Sequence, residues 1–398
     1  MTTFALVFVL VPVAVGVYAY VVYPGVLRLL AARPAAGGAA SEHEWPLVTI
    51  TVPAYNEERS IAATLDRLLE IDYPPERRHI VVISDASSDR TDEIVRGYAG
   101  KGVELVRLAE RSGKTVAENE ARAHLRGPII VNTDASVRLD KRSLKPLIAA
   151  FRDPTVGIAS GRDVSVARLG DDANVGEAGY VGYEMAVRDL ETRAGGIVGA
   201  SGCFYASRVD LHSEIVPSAL SRDFAAPLIA KEQGYRAVSV TDAVCYVPRT
   251  GSLRREFRRK VRTMTRGLET LYYKRHLMNP VRYGRFAWML ISHKLVRWLL
   301  PPAFVVGGIG LVLLATRDAR WAVLLGVGCV ALVAAVVGWF WREGRPMPRV
   351  ISLPSYFFWG VTAGLVAWSK ALRGDLNPIW EPTRREATSS EPAGASRG

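Results

Sequence analysis

The chain reads as an α/β protein built on a doubly wound sheet, with apolar helices flanking the globular part. Three observations predict this. Apolar strand-like runs alternate with amphipathic helical stretches between residues 48 and 131. Three of those strands end abruptly in polar clusters, around Pro53, Tyr55 and Glu57, at Asp85, and at Asp134. Long uncharged apolar runs lie at both ends of the chain.

Taken in order, 48–52 is a short apolar strand, and 57–70 carries Ile61, Leu65, Leu68 and Leu69 at helical spacing. The second strand is 80–83. A helix over 91–98 follows, with Ser87, Ser88 and Asp89 as cap candidates. Residues 103–108 are the third strand, 115–125 a helix and 129–131 the fourth strand. This order predicts a parallel sheet with helices on its faces. Residues 156–247 read as irregular, with more glycine and turn signals, as expected of a part that shapes an acceptor site. Ligands of open α/β sheets bind outside the carboxyl ends of the strands, so the three polar clusters describe one pocket.

The 398 residues carry a net charge of +12. Residues 1–27, 298–316, 321–341 and 350–369 contain no charged side chain, and each is near or above the roughly 18 residues of a transmembrane helix. The predicted organisation is a transmembrane helix over 1–31, a small-residue linker over 32–44 and a globular domain over 45–252. A basic amphipathic helix region over 253–284 follows, then a transmembrane or interfacial segment over 285–316. A transmembrane helix over 320–341, a transmembrane or interfacial helix over 350–372 and a partly disordered tail over 373–398 complete the chain. The first run lacks a basic leader and exceeds the usual apolar length of a signal peptide, so it reads as an anchor. Arg28 and Arg33 follow it, which places the amino terminus outside and the globular part in the cytoplasm of an inner-membrane protein. The basic tail prefers the cytoplasm too, whereas four spans would put it outside. Pro301, Pro302 and Pro354 permit a broken helix, and the sequence leaves open which C-terminal segment fails to cross. Cys203, Cys245 and Cys329 have no metal-ligand spacing, which argues against a disulfide framework or structural zinc.

Asp85 at a strand end can accept hydrogen bonds from a base or a ribose hydroxyl. Ser88 or Asp89 supplies the neighbouring helix cap. Asp134 can hold a hard divalent cation that bridges nucleotide phosphates, or can serve as a turn former. Gly113-Lys114-Thr115 resembles a P-loop but lacks its glycine spacing. Lys114 is then either near a phosphate or a solvated lysine at a helix start. Asp223 precedes an apolar helix and is either its N-cap or the general base that an alcohol nucleophile needs. In 253–268, Leu253, Phe257, Val261, Met264 and Leu268 share one helical face, and Arg255, Arg259, Arg262 and Arg266 share another. Lying on an anionic leaflet is the natural reading of such a helix. Nucleic-acid binding is a rival that a membrane-tethered chain without a recognition motif disfavours, and inward arginines facing a diphosphate are a third use.

These residues together resemble family 2 glycosyltransferases, the inverting membrane enzymes of GT-A fold that include exopolysaccharide, hyaluronan and poly-N-acetylglucosamine synthases. The resemblance covers about residues 48–266. Pro53, Tyr55, Asn56 and Glu57 match the opening P-x-Y-N-E, Asp85 to Thr91 the D-x-S-x-D-x-T stretch, and Gly113 to Asn119 the G-K-x-x-A-x-N stretch. Asp134-Ala135-Ser136 sits at D-x-D, Gly202 to Arg208 at the acceptor-side segment, Asp223 at E-D, and Arg259 to Thr263 at Q-x-x-R-W. The resemblance implies that Pro53, Tyr55, Glu57, Asp85, Lys114 and Asp134 bind the nucleotide. It makes Asp134 the metal ligand, with Mg²⁺ or Mn²⁺ as cofactor, and Asp223 the base. Gly202, Arg259 and Arg262 would meet diphosphate and acceptor. The implied partners are a nucleotide-sugar donor (a UDP-sugar before others), a glycan or lipid-linked acceptor, membrane lipids, and a homo-oligomeric or synthase partner, with no nucleic acid.

The chain departs from the pattern at Ser136, a poorer ligand for a hard cation than aspartate. It departs again at Arg222, in place of the E of E-D, and at Arg259 and Thr263, in place of Q and W. The departures favour a rival reading, a catalytically weak partner subunit of a polysaccharide synthase. A sugar-phosphate nucleotidyltransferase shares the sheet, but the glycine-rich opening of such enzymes is missing after the first strand.

Overall fold

The computed structural model describes residues 2–31, 45–166, 175–248, 252–343, 345 and 347–375. The predicted linker over 32–44, Arg33, and the tail beyond 375 lie outside them.

The chain begins with α1 (Thr2–Val17), a π-helical turn (Tyr18–Val22) and α2 (Tyr23–Leu30). The globular part alternates β1 (Val48–Ala54), α3 (Ile61–Leu69), β2 (Arg78–Ser84), α4 (Thr91–Arg96), β3 (Val103–Arg107), α5 (Lys114–Glu120) and β4 (Ile129–Thr133). Then come β5 (Arg138–Leu139), α6 (Leu144–Ala149), β6 (Val156–Val166), α7 (Val175–Ala194), β7 (Phe204–Arg208), α8 (Val209–His212), α9 (Arg222–Glu232) and β8 (Arg236–Pro248). The remainder is helical: α10 (Leu253–Tyr273), α11 (Pro280–Leu290), α12 (Val296–Trp298), α13 (Leu300–Ala315), α14 (Ala319–Trp339) and α15 (Arg349–Arg373).

One eight-stranded sheet runs in the order β3-β2-β1-β4-β7-β6-β8-β5. The first four strands are parallel, as the alternation predicts, so β1, β2 and β4 all end at one sheet edge. Beyond them the sheet is mixed: β7 runs antiparallel to both β4 and β6, and β5 antiparallel to β8. The stretch expected to be irregular instead holds two long strands and the 20-residue α7. Its glycines mislead because they serve packing rather than turns. A Cβ on Gly157 would lie 2.6 Å from Leu211 Cδ1, and one on Gly161 would collide with Phe204.

β1 is buried at every position, as a strand covered on both faces must be, and α3 lays Ile61, Leu65 and Leu68 against the sheet. Each such aliphatic side chain contributes about 1.5–3 kcal/mol through burial. Pro53 is tolerated inside β1 because the ladder to β4 has already stopped at Thr51, so no donor is missed on that side.

Among the described residues, three helices are long and apolar enough to cross a membrane, at Thr2–Leu30, Ala319–Trp339 and Arg349–Arg373. A fourth crossing would need Pro280–Trp298 and Leu300–Ala315, which meet at a 50° bend, where Pro301 and Pro302 stand. α15, by contrast, runs through Pro354 as one helix. α1 and α13 approach closely through small residues: a Cβ on Gly310 would lie 2.6 Å from the Ala5 carbonyl oxygen. α14 leaves Val323, Val330 and Val333 more than 60 % exposed, which suits a hydrocarbon surrounding.

The basic helix α10 departs from the leaflet-bound expectation. Its apolar face is occupied by protein: Phe257 stacks edge-on against Trp339 and Trp359, and Gly267 accommodates Trp298. Its Arg259, Arg262 and Arg266 turn inward to line a cavity.

Candidate active site

The parallel start of the sheet sends Tyr55, Asp85 and Asp134 out of the same edge. The tips of β1 and β2 turn sharply, with left-handed backbone at Asn56 (φ 52°) and Ala86 (φ 55°). Asparagine tolerates this conformation, but alanine does so only when neighbours over-determine it. Here the Ser87 amide donates to Ser84 Oγ, and the Asp85 amide donates to the Ala54 carbonyl.

Asp85, 1 % exposed, accepts from the Ser112 amide at 2.7 Å and the Gly113 amide at 2.9 Å. Gly113 has φ 93°, a conformation that favours glycine, and it starts α5. The buried carboxylate therefore fixes the turn from which Lys114 projects. Its two oxygens hold the chain together here, a role the strand-end pattern did not predict. Arg90 rather than Ser88 or Asp89 is the N-cap residue of α4, and Asp89, one residue before it, accepts from the Thr91 amide at 3.0 Å.

Lys114 is neither solvated nor loose. Its ammonium lies 2.5 Å from Asp134 Oδ1 and donates to the Gly202 carbonyl at 3.0 Å. Burial alone would lower the pKa of this amine, but Asp134, Glu118 and Asp223 raise it instead. Glu118, buried beside it, is held above the usual carboxylate range by burial, with Lys114 and Arg222 opposing.

Asp223 lies in the first turn of α9, where Ser221 is the N-cap residue. Ser221 Oγ donates to Asp223 Oδ1. A Cβ on Gly202 would stand 2.9 Å from Asp223 Oδ2, so the glycine is what lets this carboxylate face the segment that also meets Lys114. The neighbouring Arg222 points away. It donates to Asn119 Oδ1 at 2.5 Å and to the His212 carbonyl, and so bolts α9 to α5 and α8.

Lys114, Asp134, Ser136, Gly202, Asp223, Arg259 and Arg262 surround one cavity of about 890 Å³. Arg259 also pairs with Glu256 at 2.7 Å. The apolar helices also line it: Pro12 and Gly16 of α1, Phe304 of α13, and Phe357 and Gly360 of α15. Pro53, Tyr55, Glu57 and Asp85 are not among its lining residues. They form an adjoining cluster in which the Arg111 guanidinium lies 4.0 Å from the centre of the Tyr55 ring, and Thr91 Oγ1 accepts from the Glu57 amide at 2.8 Å.

Among the described residues no group of three or more His, Cys, Asp or Glu side chains could hold a metal ion. The donor set fits a cation that arrives with a diphosphate: Asp134 offers one carboxylate, and phosphate oxygens and water complete the shell, as magnesium sites commonly do.

Sequence reasoning missed Arg111, Glu118, Arg188, His293, Lys294 and Arg297. The last three were legible in principle, because ionisable residues inside an otherwise apolar helical segment mark a functional site by default.

Comparison with known proteins gives these features a context. Residues 49–214 match the model of the glycosyl transferase family 2. The β-monoglucosyldiacylglycerol synthase of Synechocystis is 32 % identical over 140 residues, 33 % of this chain and 29 % of that protein, so the chain spans less than a third of this relative's length. An N-acetylglucosaminyltransferase of Rhizobium is 26 % identical over 82 % of this chain and 76 % of its own length. Among solved structures, a mannosyltransferase of Pyrobaculum calidifontis superposes with a TM-score of 0.70 over 92 % of this chain and 99 % of that one, at 23 % identity. The shared architecture is the GT-A fold.

Proposed function

We propose that this chain, whose residues 49–214 match the model of the glycosyl transferase family 2, moves a sugar from a nucleotide-sugar donor to a hydroxyl of a membrane-held glycan or lipid-linked acceptor, with inversion. The observation that carries the reading is the meeting of the Lys114–Asp134 pair and Asp223 across Gly202, in one cavity that apolar helices also line.

The donor's diphosphate would lie against Lys114 and Asp134, with its nucleoside toward Tyr55, Glu57 and Asp85. Arg259 and Arg262 then face the charge that grows on the departing diphosphate, and a fixed cation in a water-poor site is worth far more there than in bulk solvent. A bound Mg²⁺ or Mn²⁺ on Asp134 would supply further neutralisation of that charge.

Asp223 takes the proton of the acceptor hydroxyl as its oxygen attacks the anomeric carbon. The bond from that carbon to the diphosphate oxygen breaks, and its electron pair leaves with the nucleoside diphosphate. Attack from the face opposite the leaving group inverts the centre. A positioned base contributes about 10²–10⁴-fold. The arrangement needs the acceptor at the membrane surface, with the globular part on the cytoplasmic side, as Arg28 after the first apolar helix favours. The resemblance ranks a UDP-sugar first among donors and envelope or extracellular polysaccharide synthesis first among roles.

The test is a panel of UDP-, GDP- and dTDP-sugars incubated with the purified full chain and membrane lipids, with and without Mg²⁺ or Mn²⁺. Release of nucleoside diphosphate from one of them is expected. Silence across the panel, with donors still bound, would leave the partner-subunit reading in its place.

A further inference from the structure

A second polar cluster borders the same cavity, away from the diphosphate residues. α7 presents Glu184, Arg188 and Glu191 at spacings of four and three, on one helical face. Opposite them stand His293, Lys294 and Arg297, from the segment just before the bend. His293 bridges the two carboxylates, 2.9 Å from Glu184 and 2.5 Å from Glu191, and Arg297 donates to Glu184 at 2.7 Å. Lys294 is 3.6 Å from the same carboxylate.

The cluster is over-supplied with cations. Arg188, Lys294 and Arg297 face two carboxylates, and those two also share His293. The guanidinium groups also have donors to spare. Nη1 of Arg188, and Nε and Nη2 of Arg297, find no hydrogen-bond partner among the described residues, although the two residues are only 8 % and 7 % exposed; Arg188 Nε lies 3.7 Å from Glu184, and the Arg297 guanidinium stands over the Tyr20 and Tyr183 rings. Buried donors without acceptors are costly, and native structures keep few of them. Both arginines line the cavity.

Position says what the missing acceptor is attached to. Arg188 Nη2 donates to the Ala200 carbonyl at 3.2 Å, and Lys294 Nζ would lie 3.1 Å from a Cβ on Gly199. Gly202, three residues further, is beside Asp223, and the Cα atoms of Gly199 and Gly202 are at most about 10 Å apart along an extended backbone. On the other side, Arg297 lies 5.4 Å from the ring centre of Tyr20, at the end of the first apolar helix. An anion held here shares one cavity with the proposed base and with Pro12, Phe304 and Phe357 of the apolar helices.

We propose that Arg188, Lys294 and Arg297 bind the phosphate of an amphiphilic acceptor, a membrane lipid that carries a phosphate apart from its accepting hydroxyl. The phosphate is a handle and does not react. Its oxygens accept from the spare guanidinium donors in the bidentate manner arginine favours, and the apolar wall from α1, α13 and α15 takes the chains. The word acceptor rests on the transfer reading above, but the site itself is testable without a donor.

The full chain in a neutral sugar detergent is titrated with phosphatidic acid, with diacylglycerol of the same chains and with inorganic phosphate, and bound species are counted by native mass spectrometry. Phosphatidic acid should be held at least tenfold tighter than either of the others. The preference should disappear in Lys294→Met and in Arg188→Gln, with donor affinity within twofold of the parent. Equal binding of diacylglycerol overturns the proposal, and inorganic phosphate binding as tightly as the lipid assigns the site to a free anion and overturns it too. If a variant fails to fold, the preference of the unmodified chain decides alone. Lipid selectivity with no sugar transfer from any donor would sink the proposed activity and leave this site standing; transfer to neutral lipids without phosphate selectivity would do the reverse.

Discussion

The ammonium of Lys114 sits 2.5 Å from Asp134 Oδ1 and 3.0 Å from the carbonyl oxygen of Gly202, so one side chain ties the end of β4 to the segment that faces Asp223. In the proposed donor site, that lysine would offer a phosphate a further donor. Lys114→Met should remove a charge-assisted hydrogen bond of about 1.5–3 kcal/mol. Donor affinity measured by calorimetry is expected to fall roughly 10- to 100-fold. An unchanged affinity would take Lys114 out of the donor site.

Asp223→Asn keeps the shape of the site and removes the proton acceptor. Turnover is expected to drop about 10²–10⁴-fold, with the donor dissociation constant little changed. Equal losses in both quantities would make Asp223 a binding residue.

Gly202→Ala tests whether the base is held by close approach. The added Cβ would be 2.9 Å from Asp223 Oδ2, so the carboxylate must shift. A displacement on the order of 1 Å costs about 10²-fold in rate. Single-turnover kinetics should show that loss with the thermal midpoint nearly intact.

Asp85→Ala strips the acceptors from two backbone amides, those of Ser112 and Gly113. Leaving them buried should cost about 3 kcal/mol in stability, read by chemical denaturation. Donor affinity should fall with it, because the turn that aims Lys114 is loosened. A variant as stable as the parent would show that the Gly113 turn holds without its carboxylate.

Hydrogen bonds from Thr155, and then the Arg236 guanidinium, lower the Asp153 carboxyl from its ordinary 3.8 to about 2. A carboxyl lowered on folding stabilises the native state above its unfolded pKa. That contribution is therefore complete above about pH 4 and is lost as pH falls toward 2. Thermal midpoints of Asp153→Asn should be flatter than those of the parent across that window, and parallel curves would contradict the assignment.

The first half of the fold was legible because its strands are continuous apolar runs and its helices show the 3.6 period, as Ile61, Leu65 and Leu68 do. The strand-end rule led to Asp85 and Asp134 without any contact information. It could not distinguish a carboxylate that faces a ligand from one, like Asp85, that binds its own chain at Ser112 and Gly113. The second half was misjudged because Gly157 and Gly161 read as turns when they are close contacts within a long strand. The inward turn of Arg259 and Arg262 was hidden for a different reason. An amphipathic helix shows two faces, but only tertiary packing, here of Phe257 on Trp339 and Trp359, says which of them meets lipid.

The cavity wall shared by Pro12, Phe304 and Phe357 also determines how rates must be expressed. A reactant that reaches Asp223 from that direction is dissolved in two dimensions, so its effective amount is a fraction of the surrounding bilayer molecules and not a molarity. With the nucleotide-sugar donor kept saturating, diluting the assay buffer should leave velocity per enzyme unchanged at fixed bilayer composition, whereas adding inert amphiphile at constant volume should slow it.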